Sequence, residues 1–135
     1  MRSNKSRTGD WGERVARKHI SAAGLRIVCA NWRTQFGEAD IIAIDRRALV
    51  IVEIKTRDIA NRDDYPAIAA VNHDKRERLR GLVRSFLRNH APICRRYGVK
   101  SHRRDVIEVY FSRSLFGFKT VKEIKWHRGL ADPDH

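Results

Sequence analysis

Gly37-Glu38-Ala39-Asp40-Ile41-Ile42-Ala43-Ile44-Asp45-Arg46-Arg47-Ala48-Leu49-Val50-Ile51-Val52-Glu53-Ile54-Lys55-Thr56 is the stretch that decides the fold of this chain. Two apolar runs flank the polar interval Asp45-Arg46-Arg47-Ala48, which has room only for a tight turn between antiparallel strands. The runs read as strands over residues 39–44 and 49–56. Side chains alternate along a strand, so Leu49, Ile51, Glu53 and Lys55 share one face and Val50, Val52 and Ile54 the other. With Arg46 and Arg47 at the centre of the turn, Asp45 pairs with Ala48, Ile44 with Leu49, Ile42 with Ile51, and Asp40 with Glu53. A slip of one residue would set Ile42 and Ile44 against the wrong face.

In that register two carboxylates stand directly opposite each other, with Cβ atoms ~5 Å apart. Two bare charges at that distance repel by about 3 kcal/mol at an effective dielectric near 20. Lys55, on the same face, offsets one of them, and a divalent cation would offset more. Carboxylate oxygens are the ligands that Mg²⁺ and Mn²⁺ prefer. An ion held by Asp40 and Glu53 would polarise a phosphate and lower the pKa of a bound water. Lys55 would orient that water or stabilise charge in the transition state. The plainer alternative is a solvated surface hairpin. Against it, the charges share their face with Ile42, Ile44 and Ile51.

Working outward, residues 25–33 read as a further strand, with Val28, Ala30 and Trp32 alternating against Ile27 and Cys29. A turn at residues 35–37 joins it to the next, so three strands form an antiparallel meander. Ahead of it, Asp10 is expected to cap a helix, with Glu13 at the spacing of a capping-box variant. Ala16, Ile20 and Ala23 give that helix its apolar stripe, and Gly24 ends it. Residues 1–9 are basic and expected to be loose, without the apolar core of a signal peptide.

Beyond the meander, residues 57–71 read as a loop and Asn72 as the cap of a second helix. Leu79, Leu82, Val83 and Phe86 form its core stripe, while Arg76, Arg80, Arg84 and Arg88 load its other sides. Residues 89–103 read as a basic loop, 105–111 as a strand and the lysine-rich 120–126 as an exposed edge strand. A strand–helix–strand crossover implies a parallel pair. The reading is an α/β fold of order αβββαβ plus a last strand, a mixed central sheet flanked by helices. Residues 1–9 form a flexible arm, 10–130 the single domain and 131–135 a tail.

The charge names the partner class. Among 135 residues, Lys plus Arg total 29 against 16 Asp plus Glu, a net +13 and a pI near 10.7. Such a field draws polyanions from a distance. Nucleic acid is the expected partner, DNA ahead of RNA. A membrane surface is not, because no basic segment carries a wide apolar face and no run has transmembrane length. Cys29 and Cys94 lack paired spacing and the six histidines lack metal-ligand spacing, which suits reduced thiols in a cytoplasmic protein.

Several residues keep two roles open at this stage. Glu13 either closes the capping box or reaches the sheet as a further acidic group. Lys75 either meets a phosphate or snorkels along the core edge. Glu38 alternates away from Asp40 and reads as a turn-flanking surface residue. Asp105 is expected to pair with a nearby arginine. Arg33, Arg57 and Arg76, with Arg26, Arg80, Arg95, Arg96, Arg103 and Arg104, are candidates for phosphate contacts. Trp11, Trp32 and Trp126 could stack on bases, but each lies on an apolar stripe and reads as core.

The strings Gly37-Glu38-Ala39-Asp40-Ile41-Ile42-Ala43 and Val52-Glu53-Ile54-Lys55-Thr56-Arg57 resemble the D-x(n)-E-x-K signature of the PD-(D/E)XK nuclease superfamily. The wider pattern resembles the YraN-like family of small bacterial proteins, which look similar to Holliday-junction resolvases. Gly9 to Glu13 matches its N-terminal helix motif, and Asn31 and Arg33 match the residues ahead of the G-E-x-D block. Lys75 matches a lysine-bearing helix. Arg103-Arg104-Asp105-Val106 matches an R-F-D-V strand, with Arg104 in place of the aromatic, a change expected to cost some packing and little chemistry. The resemblance covers most of residues 9–130. It implies a restriction-endonuclease-like core, Mg²⁺ or Mn²⁺ held by Asp40 and Glu53, Lys55 as a catalytic group and Glu13 as a further acid. The expected function is a metal-dependent endonuclease on DNA, branched or otherwise structured, with a homodimer as one assembly open to it. The alternative is a non-catalytic nucleic-acid-binding protein that keeps the nuclease fold.

Overall fold

In the computed structural model, which describes residues 4–68 and 73–129, β1 (Arg26–Thr34), β2 (Gly37–Asp45) and β3 (Ala48–Asp58) form the antiparallel meander. Arg46 takes a φ of 57°, the positive value that primed hairpin turns require at their first central position. Asp45 pairs with Ala48, Ile44 with Leu49 and Ile42 with Ile51. β4 (Ser101–Arg113) lies parallel to β3, and β5 (Lys119–His127) runs antiparallel to β4 at the edge. The five strands form one mixed sheet in the order β1-β2-β3-β4-β5. The connection from β3 to β4 carries α2 (His73–Asn89) and α3 (Ala91–Arg96), while α1 (Asn4–Ala22) precedes the meander.

Helices cover both faces, so β3 is apolar on both and reads as the continuous run Leu49-Val50-Ile51-Val52. On one face Ala16 and Ile20 of α1 and the following Leu25 pack on Ile41, Ala43, Val50, Val52, Ile107 and Val109. On the other, Leu82, Val83 and Phe86 of α2 and Cys94 of α3 pack on Ile42, Ile44, Leu49 and Ile51. Trp11 and Trp126 pack against the first core and Trp32 against the second, as their apolar stripes imply. No helix among the described residues is long and apolar enough to cross a membrane.

The elements differ from the sequence reading where composition hid a helix or a contact. α1 begins at Asn4, so Asp10 lies inside it rather than at its N-terminus, and no loose arm precedes Asp10 over residues 4–9. Ala23 is exposed beyond the helix end, and Leu25 fills the place expected of it. Residues 59–64 of the expected loop form a 3-10 turn (Ile59–Asp64), which Asp58 caps by accepting from the Ala60 N–H. The basic stretch 89–103 is not all loop: α3 forms there, with Pro92 in its first turn, where proline is favoured, and Cys94 buried. β4 begins at Ser101, four residues early, because residues 101–104 pair with Ala48, Leu49, Val50 and Ile51 of β3. The expected cap Asn72 lies outside the described residues.

Candidate functional site

Where β2 and β3 diverge, the ladder between them ends at Ile41↔Val52. Asp40 and Glu53 are therefore not a cross-strand pair, which corrects the opposed geometry read from the alternation. Instead the Asp40 carboxylate stands in for the missing backbone carbonyl. Its Oδ2 accepts the Ile54 N–H at 2.8 Å. That bond ties Asp40 to the residue between Glu53 and Lys55. The alternation fails there because Ala39 and Ile42 both face the α2 core, leaving Asp40 bonded to β3 and in the cleft beside α1.

Glu53 and Lys55 do share a face. Lys55 Nζ stands 2.8 Å from Glu53 Oε1. The other oxygen, Oε2, is held at 2.6 Å by the guanidinium of Arg104. Burial would lift the Glu53 carboxyl, but hydrogen bonds and charge from Lys55 and Arg104 together hold it below the usual glutamate range. Asp40 goes the other way. Its partial burial raises it above the usual aspartate range. The negative charges of Glu53, Glu38 and Glu13 add to that, and the Ile54 hydrogen bond only partly opposes it. The two carboxylates thus interact, and their ionisation is pushed apart.

Glu13 reaches the site through a glycine. Gly12 is buried against β3, and a Cβ there would collide with the Thr56 side chain. Only glycine lets α1 come this close, and the approach brings Glu13 into one cleft with Asp40, Asn31 and Arg33, about 790 Å³ in volume. Glu53 and Lys55 open into a neighbouring cleft of about 500 Å³, together with Lys75 and Arg104. β3 separates the two, with Ile54 and Thr56 lining the first and Glu53 and Lys55 the second.

The predicted phosphate contacts divide. Arg33 is exposed at the first cleft and pairs with Glu38 at 3.3 Å. Lys75 is exposed on α2 at the second. Arg57 is not available to a phosphate. It is 6% exposed, its guanidinium lies 3.0 Å from Glu108, and it bonds the Pro66 carbonyl. Arg76 is half-buried on α2 and lines neither cleft. Asp105 is buried and bound by Arg103, as expected, and also accepts from the Trp126 indole and the Gly129 N–H.

Arg104, a candidate phosphate contact in the sequence, is instead bonded to Glu53. Its side chain is mostly buried, and Nη1 has no hydrogen-bond partner among the described residues. The signal was present: on β4, Arg104, Val106 and Glu108 share a face, and β4 runs parallel beside Glu53. Without the β3–β4 register, which aligns Ile51 with Arg104, that signal could not be turned into a contact.

Carboxylates of this kind suit a hard divalent cation in their donor atoms. The crowding of Glu13, Glu38 and Glu53 around Asp40 is also what a cation would relieve. As placed, the described residues gather no group of three or more acidic, histidine or cysteine ligands around one point. Glu53 is held by Lys55 and Arg104 instead.

A family model described as "Uncharacterised protein family UPF0102" matches residues 12–109. A UPF0102 protein of Roseiflexus castenholzii is 37% identical over 90 residues, covering 67% of this chain and 71% of that one. A UPF0102 protein of Mycobacterium marinum is 39% identical over 109 residues, covering 78% and 83%. One from Streptomyces coelicolor is 40% identical over 83 residues, covering 61% and 62%. The matched span takes in Glu13, Asp40, Glu53, Lys55, Lys75 and Arg104.

Proposed function

We propose that this chain, which belongs to the uncharacterised protein family UPF0102, is a Mg²⁺- or Mn²⁺-dependent endonuclease acting on DNA. The observation that carries the reading is the bond from the Ile54 N–H to Asp40. It fixes one carboxylate at the centre of Glu53-Ile54-Lys55, and with Glu13 nearby it concentrates negative charge that a cation would relieve. Asp40 would hold the ion from the cleft it shares with Glu13, a further acidic group, and Glu53 would join it on exchanging Lys55 and Arg104 for the ion. When bound, the ion would supply Lewis-acid polarisation of a phosphate and a more acidic water.

The chain's own residues supply the rest. Lys55, its ammonium free to turn from Glu53 toward a phosphate, would stabilise negative charge as the phosphodiester is attacked. Arg33 and Lys75, exposed at the mouths of the two clefts, would hold flanking phosphates. The net +13 would bring the strand to the surface and make binding fall steeply with salt.

A second reading has one observation in its favour. Lys55 and Arg104 already neutralise Glu53, which suits a protein that binds nucleic acid and does not cut it. One screen separates the two. Single-stranded, flapped, branched and duplex DNA, and matching RNA, are incubated with the protein and Mg²⁺ or Mn²⁺. Cation-dependent cutting that Asp40→Asn abolishes supports the endonuclease. Binding with no cutting of any substrate supports the second reading, and cutting that survives in Asp40→Asn would overturn the proposed site.

A further inference from the structure

The hairpin between β4 and β5 ends in Ser114-Leu115-Phe116-Gly117-Phe118. Leu115 is 101% exposed, Phe116 87% and Phe118 72%. Three large apolar side chains standing in water at one tip cost solvation and add nothing to the core. They are nonetheless held in place. The Ser114 N–H donates to the Phe118 carbonyl at 2.8 Å, and the Gly117 N–H donates to the Ser114 carbonyl at 2.9 Å. The Ser114 hydroxyl accepts from the Phe116 and Phe118 N–H groups. Gly117, at φ +84°, supplies the left-handed turn that an L side chain resists. The loop is preorganised, so a partner would meet rings that need little further ordering.

The root of the hairpin is basic. Arg113 lies over the Phe111 ring and donates to Thr8, and Lys119 lies 5.9 Å from the centre of the Trp11 ring. Burial, and then the like charges of Arg113 and Arg14, hold the Lys119 ammonium below the usual lysine range. Arg113 and Lys119, at the two feet of the hairpin, offer cationic groups to a phosphate beside the tip. Arg113 and Phe111 also line the cleft that holds Asp40 and Glu13.

We propose that this hairpin is a base-stacking head for unpaired nucleic acid. Phe116 and Phe118 take the faces of exposed bases while Arg14, Arg113 and Lys119 take the phosphates beside them. Every base has a π face, so the contact tolerates sequence but needs bases out of a duplex stack. A second copy of the chain is the weaker occupant. Two phenylalanines and a leucine offer ~500 Å² at most, short of the roughly 800 Å² per partner of a stable interface. The crowded cations at the root also favour a polyanion over another copy of a +13 chain. The inference rests on the proposed function only for the step after binding, in which a strand held here is led into the cleft of Asp40 and Glu13.

The test is binding in EDTA, where no cutting occurs. A fluorescent single strand and a blunt duplex of equal length are titrated with wild type, Phe116→Ala/Phe118→Ala and Phe116→Trp. The double variant is expected to lose roughly tenfold per ring on the single strand and less than about twofold on the duplex. Phe116→Trp keeps a stacking face and should bind at least as well as wild type. A 2-aminopurine in the strand should lose its stacking quench with the double variant. Both rings are exposed, so matching thermal melts are expected to show that the fold survives. Equal loss on both substrates, or none, overturns the proposal. So does a double variant that instead loses self-association in sedimentation or binding to anionic vesicles. Failure of the nuclease reading would show separately, as wild type that prefers single strands yet cuts nothing with Mg²⁺ or Mn²⁺.

Discussion

Glu53 and Glu108 lie on the same face of adjacent strands, each gripped by basic side chains, and they have opposite characters. The Glu108 side chain is 6% exposed and its partner Arg57 7%. Arg57 at 3.0 Å, His127 at 2.9 Å and the Tyr110 hydroxyl at 3.1 Å all hold Glu108. Arg57 in turn stacks over Tyr65. Glu53 and Lys55, by contrast, are 38% and 45% exposed and face a cleft. A buried carboxylate with its lone pairs filled holds the sheet together, because removing a partner would strand a charge away from water. A half-exposed one can exchange its partners for a ligand. Lys55 aligns with Glu108 in the β3–β4 register, so the change from scaffold to site happens within a few residues of β3.

The largest effect should fall on the open group. On the endonuclease reading, Lys55→Ala should lower turnover on the order of 10²–10³-fold, the scale of losing one group that stabilises transition-state charge. Its melting temperature should stay near wild type, because the pair it loses is exposed to solvent. A single-turnover cleavage assay beside a thermal melt checks both. A Lys55→Ala protein that cuts normally would erase the contrast with Glu108.

The closed group should show the reverse. Arg57→Met leaves Glu108 buried without its main cation and is expected to cost about 3–5 kcal/mol of stability, read from urea unfolding. Specific activity per folded molecule should hold. Glu108 sits below the usual glutamate range: burial alone would raise it, and bonds and charge from His127, Tyr110 and Arg57 outweigh that. A depressed acid contributes stability above its unfolded pKa, near the ordinary 4.5, and loses it as pH falls through its lower folded value. Wild type should therefore weaken as pH drops below about 4.5, and Glu108→Gln should flatten that segment of the profile.

How much of this the sequence disclosed depends on how local each interaction is. The β2–β3 register followed from a two-residue turn and strict alternation, and both are local. The pairing of Asp40 with Glu53 did not follow, because alternation binds only while the ladder lasts, and the ladder stops at Ile41↔Val52, just short of that pair. α3 was hidden because its charged residues face solvent and Cys94 alone is buried. Arg57 read as a phosphate ligand because nothing in the sequence places it beside Glu108, 51 residues later. Gly12 carried no message until α1 was set against Thr56. Arg104 is the clearest case. As a departure from the family's aromatic it suggested lost packing, while in the fold it is bonded to Glu53.

Arg104 gives a smaller effect that sharpens the comparison. If Glu53 is open to exchange, removing one of its two cations should make it a better ligand. Arg104→Met is expected to raise Mn²⁺ affinity about fivefold, equivalent to the roughly 1 kcal/mol at the top of the range for a half-exposed pair. Calorimetric titration with Mn²⁺ measures it without any need for cutting. An unchanged or weaker affinity would mean that Arg104 does not compete for Glu53, and that its Nη1, without a partner among the described residues, serves something other than the metal.

The smallest expected effect lies in the stability of Asp40→Asn. Burial and the charges of Glu53, Glu38 and Glu13 raise Asp40 above its ordinary 3.8, so the folded protein disfavours its ionised form. A group raised on folding contributes stability below its unfolded pKa and loses it as pH rises through the folded value. Asparagine carries no charge at any pH, and its carbonyl oxygen can still accept the Ile54 N–H. At acid pH, where Asp40 is neutral, the two proteins should melt together. As pH rises through the raised Asp40 value, wild type should fall behind the variant by under about 1 kcal/mol at neutral pH. Metal should reverse the order, because only the aspartate gains a cation's charge in return for its own. Paired thermal melts from acid to neutral pH, in EDTA and with Mn²⁺, read the sign directly. Asparagine less stable than aspartate at neutral pH without metal would show that Asp40, like Glu108, is a satisfied structural acid, and the contrast between open and closed carboxylates would then rest on Glu53 alone.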